Sequence, residues 1–200
     1  MKIIAVSGAS FSGKTTFMEK VKEVFPQTIT VTECIRERNI NISELRSDSK
    51  KYFIFQKEVI REKIKTEKDI IKFLVDSSNV RRKYCLIDRS LIDSMFYLTF
   101  YCDKNSMTQE DMKEYSEFWN EVFISAKYAI DNIYDKIFLF KPIKFENNEN
   151  DLFRDNRLKQ SQEVEWNMIR MMTYGLCPIN KIVELSVEKI DNPIEWLLNQ

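Results

Sequence analysis

The sequence predicts a single α/β domain in which helices cover both faces of a parallel sheet. Short apolar runs alternate with amphipathic segments along the 200 residues, as the strands and helices of such a sheet do. The first apolar run leads through a glycine-containing loop into a segment with apolar residues at helical spacing, residues 16–25. Because 44% of the residues are hydrophobic and no linker-like stretch divides the chain, one core is expected for residues 1–200.

Five short runs have the apolar and β-branched content of buried strands. The predicted strands are residues 1–6, 28–32, 84–87, 136–140 and 181–185. Longer segments combine mixed charge with apolar stripes at helical spacing. The helices predicted in this way cover about residues 50–75, 90–102, 108–130, 156–174 and 189–198. In a parallel sheet of this kind, ligands bind at the carboxyl ends of the strands.

The loop after the first strand uses two of the three glycines in the chain and matches G-x-x-x-x-G-K-[ST] at every fixed position. A glycine-poor protein keeps glycine where φ must be positive or where backbone must approach a ligand. Between a strand and a helix, the loop amides are expected to point into one concavity, together with the positive end of the helix dipole. The expected nucleotide-binding residues are Gly8, Ala9, Ser10, Phe11, Ser12, Gly13, Lys14, Thr15 and Thr16.

Two residues distinguish a phosphate site from a tight strand-to-helix turn. A turn needs no Lys-Thr pair after its second glycine, whereas a phosphate-binding loop does. Lys14 is therefore predicted to reach the β- and γ-phosphates, and Thr15 is predicted to give its hydroxyl to Mg²⁺.

Charge and residue usage narrow the classes of protein. Lys plus Arg and Asp plus Glu both number 31, so a net charge of zero provides no global attraction to nucleic acid or membrane. The chain has no histidine and no C-x-x-C pair, which excludes common zinc sites and Ser-His or Cys-His catalysis and leaves carboxylates as candidate bases. The cysteines are expected to be reduced thiols. With no leader and no membrane-length apolar run, a soluble cytoplasmic protein is expected.

Charged residues follow the second and third predicted strands. Glu33 follows the second strand, with Arg36 three residues later, and the third strand runs into Asp88 and Arg89. At this edge of the sheet, Glu33 is a candidate general base for a bound hydroxyl, Asp88 a candidate Mg²⁺ ligand through water, and Arg89 a phosphate clamp. The alternative for Asp88 and Arg89 is a helix cap with a surface ion pair.

The helix predicted after residue 50 carries Gln56 on its apolar stripe, one turn after Phe53. A buried amide without a partner costs about 1–3 kcal/mol. Gln56 is therefore expected to bond either to backbone or to a bound group such as the edge of a nucleobase.

A polar, asparagine-rich stretch without periodicity precedes Arg154 and Arg157, at the head of a predicted helix. Arginines that arrive from a polar segment are what a closing lid needs to neutralise a transferring phosphate and to exclude water. The lid is predicted at about residues 144–160, and a solvated charged loop is the alternative.

Together, these motifs resemble those of the nucleoside and nucleotide kinase group of P-loop proteins. The resemblance rests on the glycine loop, Glu33 with Arg36, Gln56, the segment 88–93, the strand at 134–139 and the lid segment 153–157, so it covers nearly the whole chain. The sequence is most similar to the small AAA-type kinase domains related to ribosylnicotinamide kinase. It also shares features with deoxynucleoside and thymidylate kinases.

This resemblance implies a P-loop fold with a five-stranded parallel sheet in the order 2-3-1-4-5, ATP as phosphoryl donor and Mg²⁺ as cofactor. It also implies roles for side chains: Glu33 matches the carboxylate that accepts the 5′-hydroxyl proton, Gln56 the base-reading glutamine, and Arg89 the arginine of a Glu/Asp-Arg-Ser motif. Arg154 and Arg157 match lid arginines. Residues 185–188 would border the adenine. Cys34 replaces a proline that usually follows the acid in thymidylate kinases, which argues against specificity for dTMP.

Other classes of protein make different demands on the sequence. A signalling GTPase needs an Asp-x-x-Gly turn and an Asn-Lys-x-Asp guanine reader, and the chain has neither. An ABC or AAA-type motor needs a glycine-rich signature and an extra helical domain, and the sequence shows neither.

Two alternatives stay open. One is a kinase that modifies a nucleotide within DNA, with a basic groove that includes Arg81, Arg82 and Lys83. The other is a nucleotide-binding regulator or ATPase. A small-molecule nucleoside or nucleotide is the expected substrate, with no membrane partner, and a homodimer is compatible with the sequence.

Overall fold

A computed structural model of the protein describes residues 1–10, 12–32, 42–76, 84–142, 158–185 and 197. Its centre is a sheet of five parallel strands: β1 (Lys2–Gly8), β2 (Ile29–Val31), β3 (Tyr84–Asp88), β4 (Lys136–Phe140) and β5 (Ile182–Leu185). The strand order is β2-β3-β1-β4-β5. This arrangement confirms the predicted fold, including the strand order that the resemblance implied.

Six α-helices lie among the described residues: α1 (Lys14–Val24), α2 (Ile42–Leu45), α3 (Ser49–Asp76), α4 (Leu91–Phe100), α5 (Gln109–Asn132) and α6 (Leu158–Leu176). Five of them match predicted helices within a few residues. The sequence did not predict α2, because a single turn is too short to show helical periodicity. The helix predicted at 189–198 lies outside the described residues, except for residue 197. None of the described helices combines the length and apolar character that a membrane span requires.

The central strand β1 extends two residues beyond its predicted end. Ser7 and Gly8 pair with Leu139 and Phe140 of β4. The prediction stopped before them because serine and glycine are poor strand formers. The Ser7 hydroxyl is compatible with a buried strand since it donates a hydrogen bond to Oδ2 of Asp93, at 2.6 Å.

Apolar side chains pack on both faces of the sheet. On one face, β1, β3 and β4 contribute residues that pack against α3, α4 and α5, and this core includes Ile60, Ile92 and Val122. On the other face, Phe17 and Val21 of α1 pack against Phe138. A third cluster joins α4 and α6 to the glycine loop through buried Ala9, Phe96, Tyr97, Leu139, Trp166 and Ile169. Cys85, Cys102 and Cys177 are all buried, and Cys102 and Cys177 are free thiols, as expected.

The start of α4 is set by a capping box. The Ser90 hydroxyl accepts hydrogen bonds from the backbone N–H groups of Ile92 and Asp93, and the Asp93 carboxylate accepts one from the Ser90 N–H. This cap places the beginning of α4 directly after the carboxyl end of β3. The candidate site therefore lies where β1, β3 and α4 meet.

Candidate active site

The glycine loop between β1 and α1 needs glycine at two positions. Gly8 has φ 129° and Gly13 has φ 79°, a backbone region that other residues rarely adopt. At Gly8, an added Cβ would lie 2.3 Å from the carbonyl oxygen of Phe140. Gly13 is the N-cap of α1, and its carbonyl accepts a hydrogen bond from the Phe17 N–H at 2.9 Å. The two glycines allow β1 to turn into α1 within a few residues.

Lys14, the first residue of α1, folds back across this loop. Its Nζ donates hydrogen bonds to the carbonyl oxygens of Gly8, at 2.8 Å, and Ala9, at 2.6 Å, and to Oγ of Ser12, at 3.1 Å. The side chain is only 7% exposed. The ammonium is therefore held inside the loop mainly by backbone carbonyl oxygens of the loop itself.

Burial is the main reason why the pKa of Lys14 falls from its ordinary 10.5 to about 8. The neighbouring positive charge of Arg89 lowers this pKa further, while the carboxylates of Asp93, Asp88 and Glu165 oppose the shift. At neutral pH the lysine remains mostly protonated. Two cations and three carboxylates thus interact within one small region.

Two amides of the loop hydrogen-bond to protein carboxylates. The Gly8 N–H donates to Oδ1 of Asp93, at 3.1 Å, and the Ser10 N–H donates to Oε1 of Glu165, also at 3.1 Å. The expectation that every amide from Gly8 to Lys14 points into one concavity is therefore wrong for these two residues. Two buried carboxylates, Asp93 of α4 and Glu165 of α6, thus accept hydrogen bonds from amides of the loop.

Asp88 and Arg89 lie beside the loop at the carboxyl end of β3. Asp88 is in register with Val6 of β1, and the Arg89 N–H donates to the Val6 carbonyl at 2.9 Å. The predicted alternative, in which these residues cap α4, is not what the structure shows, because Ser90 is the N-cap. The backbone carbonyl of Asp88 accepts a hydrogen bond from Lys63 Nζ at 3.1 Å.

Arg89 has φ 62° and is the only non-glycine residue with positive φ among the described residues. The left-handed conformation costs about 1–2 kcal/mol for a residue with a Cβ. Strain of this kind persists where the surrounding structure holds a residue in place, and it occurs often at active sites. The guanidinium donates a hydrogen bond to the hydroxyl of Tyr97 and lies 4.7 Å from the centroid of its ring. Arg89 is thus fixed both by its backbone and by its side chain.

A chain of hydrogen bonds continues from Arg89 to the glycine loop. The Tyr97 hydroxyl donates to Oε1 of Glu165, on α6, and the same oxygen accepts from the Ser10 N–H and from Ser10 Oγ at 3.2 Å. Burial raises the pKa of Tyr97 well above its ordinary value, so its hydroxyl keeps the proton that it donates. Glu165 itself is 0% exposed. Residues from α4 and α6 therefore tie the loop to the end of β3.

Sequence reasoning missed Asp93, Tyr97 and Glu165 as members of the site. Asp93 carried a local signal, because a serine followed three residues later by an acid is a capping pattern. Glu165 also had a local signal, since it lies on the apolar stripe of α6, one turn before Ile169. Gln56 was predicted as a site residue from the same kind of position on its own helix. No local pattern distinguished Tyr97 from the other aromatic residues of α4.

Gln56 of α3 is 5% exposed, and its Nε2 donates to the hydroxyl of Tyr52 at 3.0 Å. Tyr52 in turn lies 3.4 Å from the carbonyl oxygen of Tyr97, to which its hydroxyl donates. The amide nitrogen therefore has a side-chain partner, rather than the backbone or bound partner that the sequence analysis considered. Its role in reading a base stays a prediction.

Thr15 and Asp88 provide the kind of oxygen ligands that Mg²⁺ takes, a hydroxyl and a carboxylate. Both residues are half-buried beside the glycine loop, where phosphate oxygens would complete the coordination. Buried Lys14, next to them, provides the cation that a triphosphate needs. The residues present thus fit both Mg²⁺ and ATP.

Several predicted site residues lie outside the described residues. They are Phe11, Glu33, Arg36, Arg154 and Arg157, together with the basic residues Arg81, Arg82 and Lys83 and positions 186–188. The second strand does end beside the third, since Val31 pairs with Ile87. Glu33, two residues beyond Val31, therefore follows a strand of the same sheet.

Comparison with curated protein sequences returns no match. Among solved structures, a NadR protein in complex with NR superposes with a TM-score of 0.65 at 17% identity, covering 95% of this chain and 47% of the NadR chain. The chain thus spans about half of that protein. Deoxyadenosine kinase from M. mycoides with bound dCTP gives a TM-score of 0.61 at 16% identity, covering 98% of this chain and 97% of the kinase.

The family model described as "AAA domain" matches residues 3–183. This match covers the glycine loop, all six described α-helices and the sheet except for Lys2 and the last two residues of β5. The chain belongs to this AAA domain family, and its P-loop α/β fold is the one that NadR and deoxyadenosine kinase share.

Proposed function

We propose that the protein is a kinase that transfers the γ-phosphate of ATP to a nucleoside or a nucleoside monophosphate. The observation that carries this proposal is the position of Lys14, buried and bonded across a loop whose first glycine leaves no space for a side chain. Beside it stand a carboxylate and a guanidinium, Asp88 and Arg89, at the end of the neighbouring strand. Phosphoryl transfer depends mainly on this kind of positioning and charge stabilisation.

Each side chain of the described site has a distinct part in the proposed reaction. Lys14 exchanges its loop carbonyl partners for oxygens of the β- and γ-phosphates. Thr15 and Asp88 hold Mg²⁺, which neutralises charge on the phosphates when it is bound. Arg89 donates hydrogen bonds to the transferring or accepting phosphate, where charge accumulates in the transition state.

The acceptor lies between the strand ends and α3 in this proposal. Glu33 removes the proton of an acceptor hydroxyl, Arg36 binds the acceptor, and Gln56 hydrogen-bonds its base. Arg154 and Arg157 neutralise the transferring phosphate from the lid side. A nucleoside-type acceptor is supported by the structural neighbours, because one binds NR and the other is named deoxyadenosine kinase. We infer that the protein acts on free small molecules in the cytoplasm.

An ATP-consumption screen tests this function. The acceptors are nucleosides, nucleoside monophosphates, nicotinamide riboside, and single- and double-stranded DNA. Phosphorylation of a nucleoside or monophosphate supports the proposal. Phosphorylated DNA would identify the enzyme as a DNA-modifying kinase instead, and ATP hydrolysis without any acceptor would identify it as an ATPase. An inert folded protein contradicts the proposed activity.

Two substitutions sharpen the screen. Lys14→Ala should lower turnover by at least about 100-fold in a folded protein, because the main phosphate cation is lost. Lys22→Ala is the matched control, since Lys22 is an exposed lysine on the same helix. Glu33→Gln should abolish transfer to a hydroxyl while ATP still binds. Unchanged turnover in Glu33→Gln would point to a phosphate acceptor or to a different base.

A further inference from the structure

We propose that Glu165 is a positioning residue for the phosphate loop and for Arg89, and that it acts through Ser10 and Tyr97. Its carboxylate is completely buried on α6, outside the glycine-loop motif. It nevertheless connects the two strand ends at which the site is built. The inference deepens the proposed kinase function and rests on it.

The first step of the argument is the geometry of one oxygen. Glu165 Oε1 accepts hydrogen bonds from the Ser10 N–H at 3.1 Å, from Ser10 Oγ at 3.2 Å and from the Tyr97 hydroxyl. The backbone amide is the important donor, because its direction fixes the orientation of the peptide plane in the loop. Backbone amides and Lys14 of this loop are what a phosphate meets. A group that orients Ser10 therefore orients the phosphate site.

The second step is the link to Arg89. The Arg89 guanidinium donates to the Tyr97 hydroxyl, which donates onward to Glu165, so each donor in the chain has its acceptor. The ring of Tyr97 also lies under the guanidinium. Ser10 of the glycine loop and Arg89 at the end of β3 are in this way held by the same carboxylate.

The third step concerns the other carboxylate oxygen of Glu165, which contributes no hydrogen bond to the site. Oε2 is buried and has no hydrogen-bond partner among the described residues. A buried acceptor without a donor is costly. A residue whose only purpose was to stabilise the fold would gain from an apolar side chain at this position, because a carboxylate is expensive to bury. The hydrogen bonds that Oε1 accepts explain why a glutamate, rather than an apolar residue, occupies this buried position.

The test is calorimetric titration of the full chain with MgADP. Glu165→Leu should weaken binding at least about 10-fold, since the loop loses its anchor, whereas Glu165→Gln keeps a carbonyl oxygen for the same donors and should stay within about threefold of the wild type. Glu163→Gln is the matched control, because Glu163 is exposed on the same helix. A residue that only stabilised the fold would change the melting temperature without changing the affinity of the folded protein.

If Glu165→Leu does not fold, a double-mutant cycle of Ser10→Ala and Tyr97→Phe decides the question. The Ser10 N–H remains in every variant, and each hydroxyl helps to keep the carboxylate in place to accept it. With both hydroxyls removed, the double variant should therefore bind MgADP at least about threefold more weakly than the product of the single effects. Simple multiplication of the single effects overturns the proposal. So does wild-type affinity in Glu165→Leu. Wild-type protein that binds no MgADP would instead refute the proposed kinase function, so the two failures are distinguishable.

Discussion

The carboxylate of Asp93 joins the first residue of the glycine loop to the start of α4. Its Oδ1 accepts the Gly8 N–H at 3.1 Å, and its Oδ2 accepts the Ser7 hydroxyl at 2.6 Å and the Ser90 N–H at 2.7 Å. One buried side chain thus determines where β1 ends, where the loop begins and where α4 is capped. It holds the backbone from which Lys14 and Arg89 project.

Removal of this carboxylate should be costly. Asp93→Ala leaves buried donors of Ser7, Gly8 and Ser90 without their acceptor, and each such loss costs about 1–3 kcal/mol before the structure relaxes. We expect the free energy of unfolding to fall by about 3 kcal/mol or more, as measured by urea denaturation. Asp131→Ala, at an exposed position of α5, should change it by less than about 0.5 kcal/mol. Equal effects of the two substitutions would refute the structural role of Asp93.

Replacement of glycine by alanine should change stability in opposite directions at Gly8 and at Gly175. Gly8→Ala places a Cβ 2.3 Å from the Phe140 carbonyl oxygen, at a positive φ, and should destabilise the protein by more than about 2 kcal/mol. Gly175→Ala is the control. It lies in α6 with no atom within 4 Å of the added Cβ, so it should stabilise the protein by about 0.5–1 kcal/mol. Thermal unfolding of both variants tests the prediction, and a tolerated Gly8→Ala contradicts the close packing of the loop on β4.

The lowered pKa of Lys14 predicts a dependence of stability on pH. Between pH 8 and 10.5 the unfolded chain holds the lysine proton more tightly than the folded protein does, because the folded pKa is about 8. The stability of the wild type relative to Lys14→Met should therefore rise with pH in this window, by up to about 3 kcal/mol. Below pH 8 the difference should be constant. A flat profile over this pH range would contradict the burial of the Lys14 ammonium.

Arg89 should show a conflict between stability and activity. Its φ of 62° suits glycine, so Arg89→Gly should be about 1 kcal/mol more stable than Arg89→Ala in urea unfolding. Both variants should lose at least about 100-fold in turnover with the acceptor found in the screen, because the guanidinium is gone. If the alanine variant were the more stable of the two, the left-handed backbone of Arg89 would be refuted. If either variant kept full turnover, Arg89 would not contact a reacting phosphate.

Elements with a strong local signal were predictable in detail. The strand β4 has the predicted bounds, because the short apolar run 137–140 lies between segments with helical periodicity. The glycine loop was predicted from its glycine spacing and the Lys-Thr pair that follows, since residues other than glycine rarely adopt the backbone found at Gly8 and Gly13. The ends of β1 and the single turn of α2 were less predictable, because Ser7 and Gly8 join the strand through a tertiary hydrogen bond and a single turn has no period.

The sequence by itself determined the α/β class, the course of the main helices and strands, and the placement of Lys14, Asp88 and Arg89 together at the glycine loop. Each of these depends on contacts between residues close in the chain or on a short fixed spacing. Only the tertiary structure decided which carboxylates hold that loop. The hydrogen bonds from Gly8 to Asp93 and from Ser10 to Glu165 span 85 and 155 residues, so they exist only once the parallel sheet has brought α4 and α6 to the end of β1.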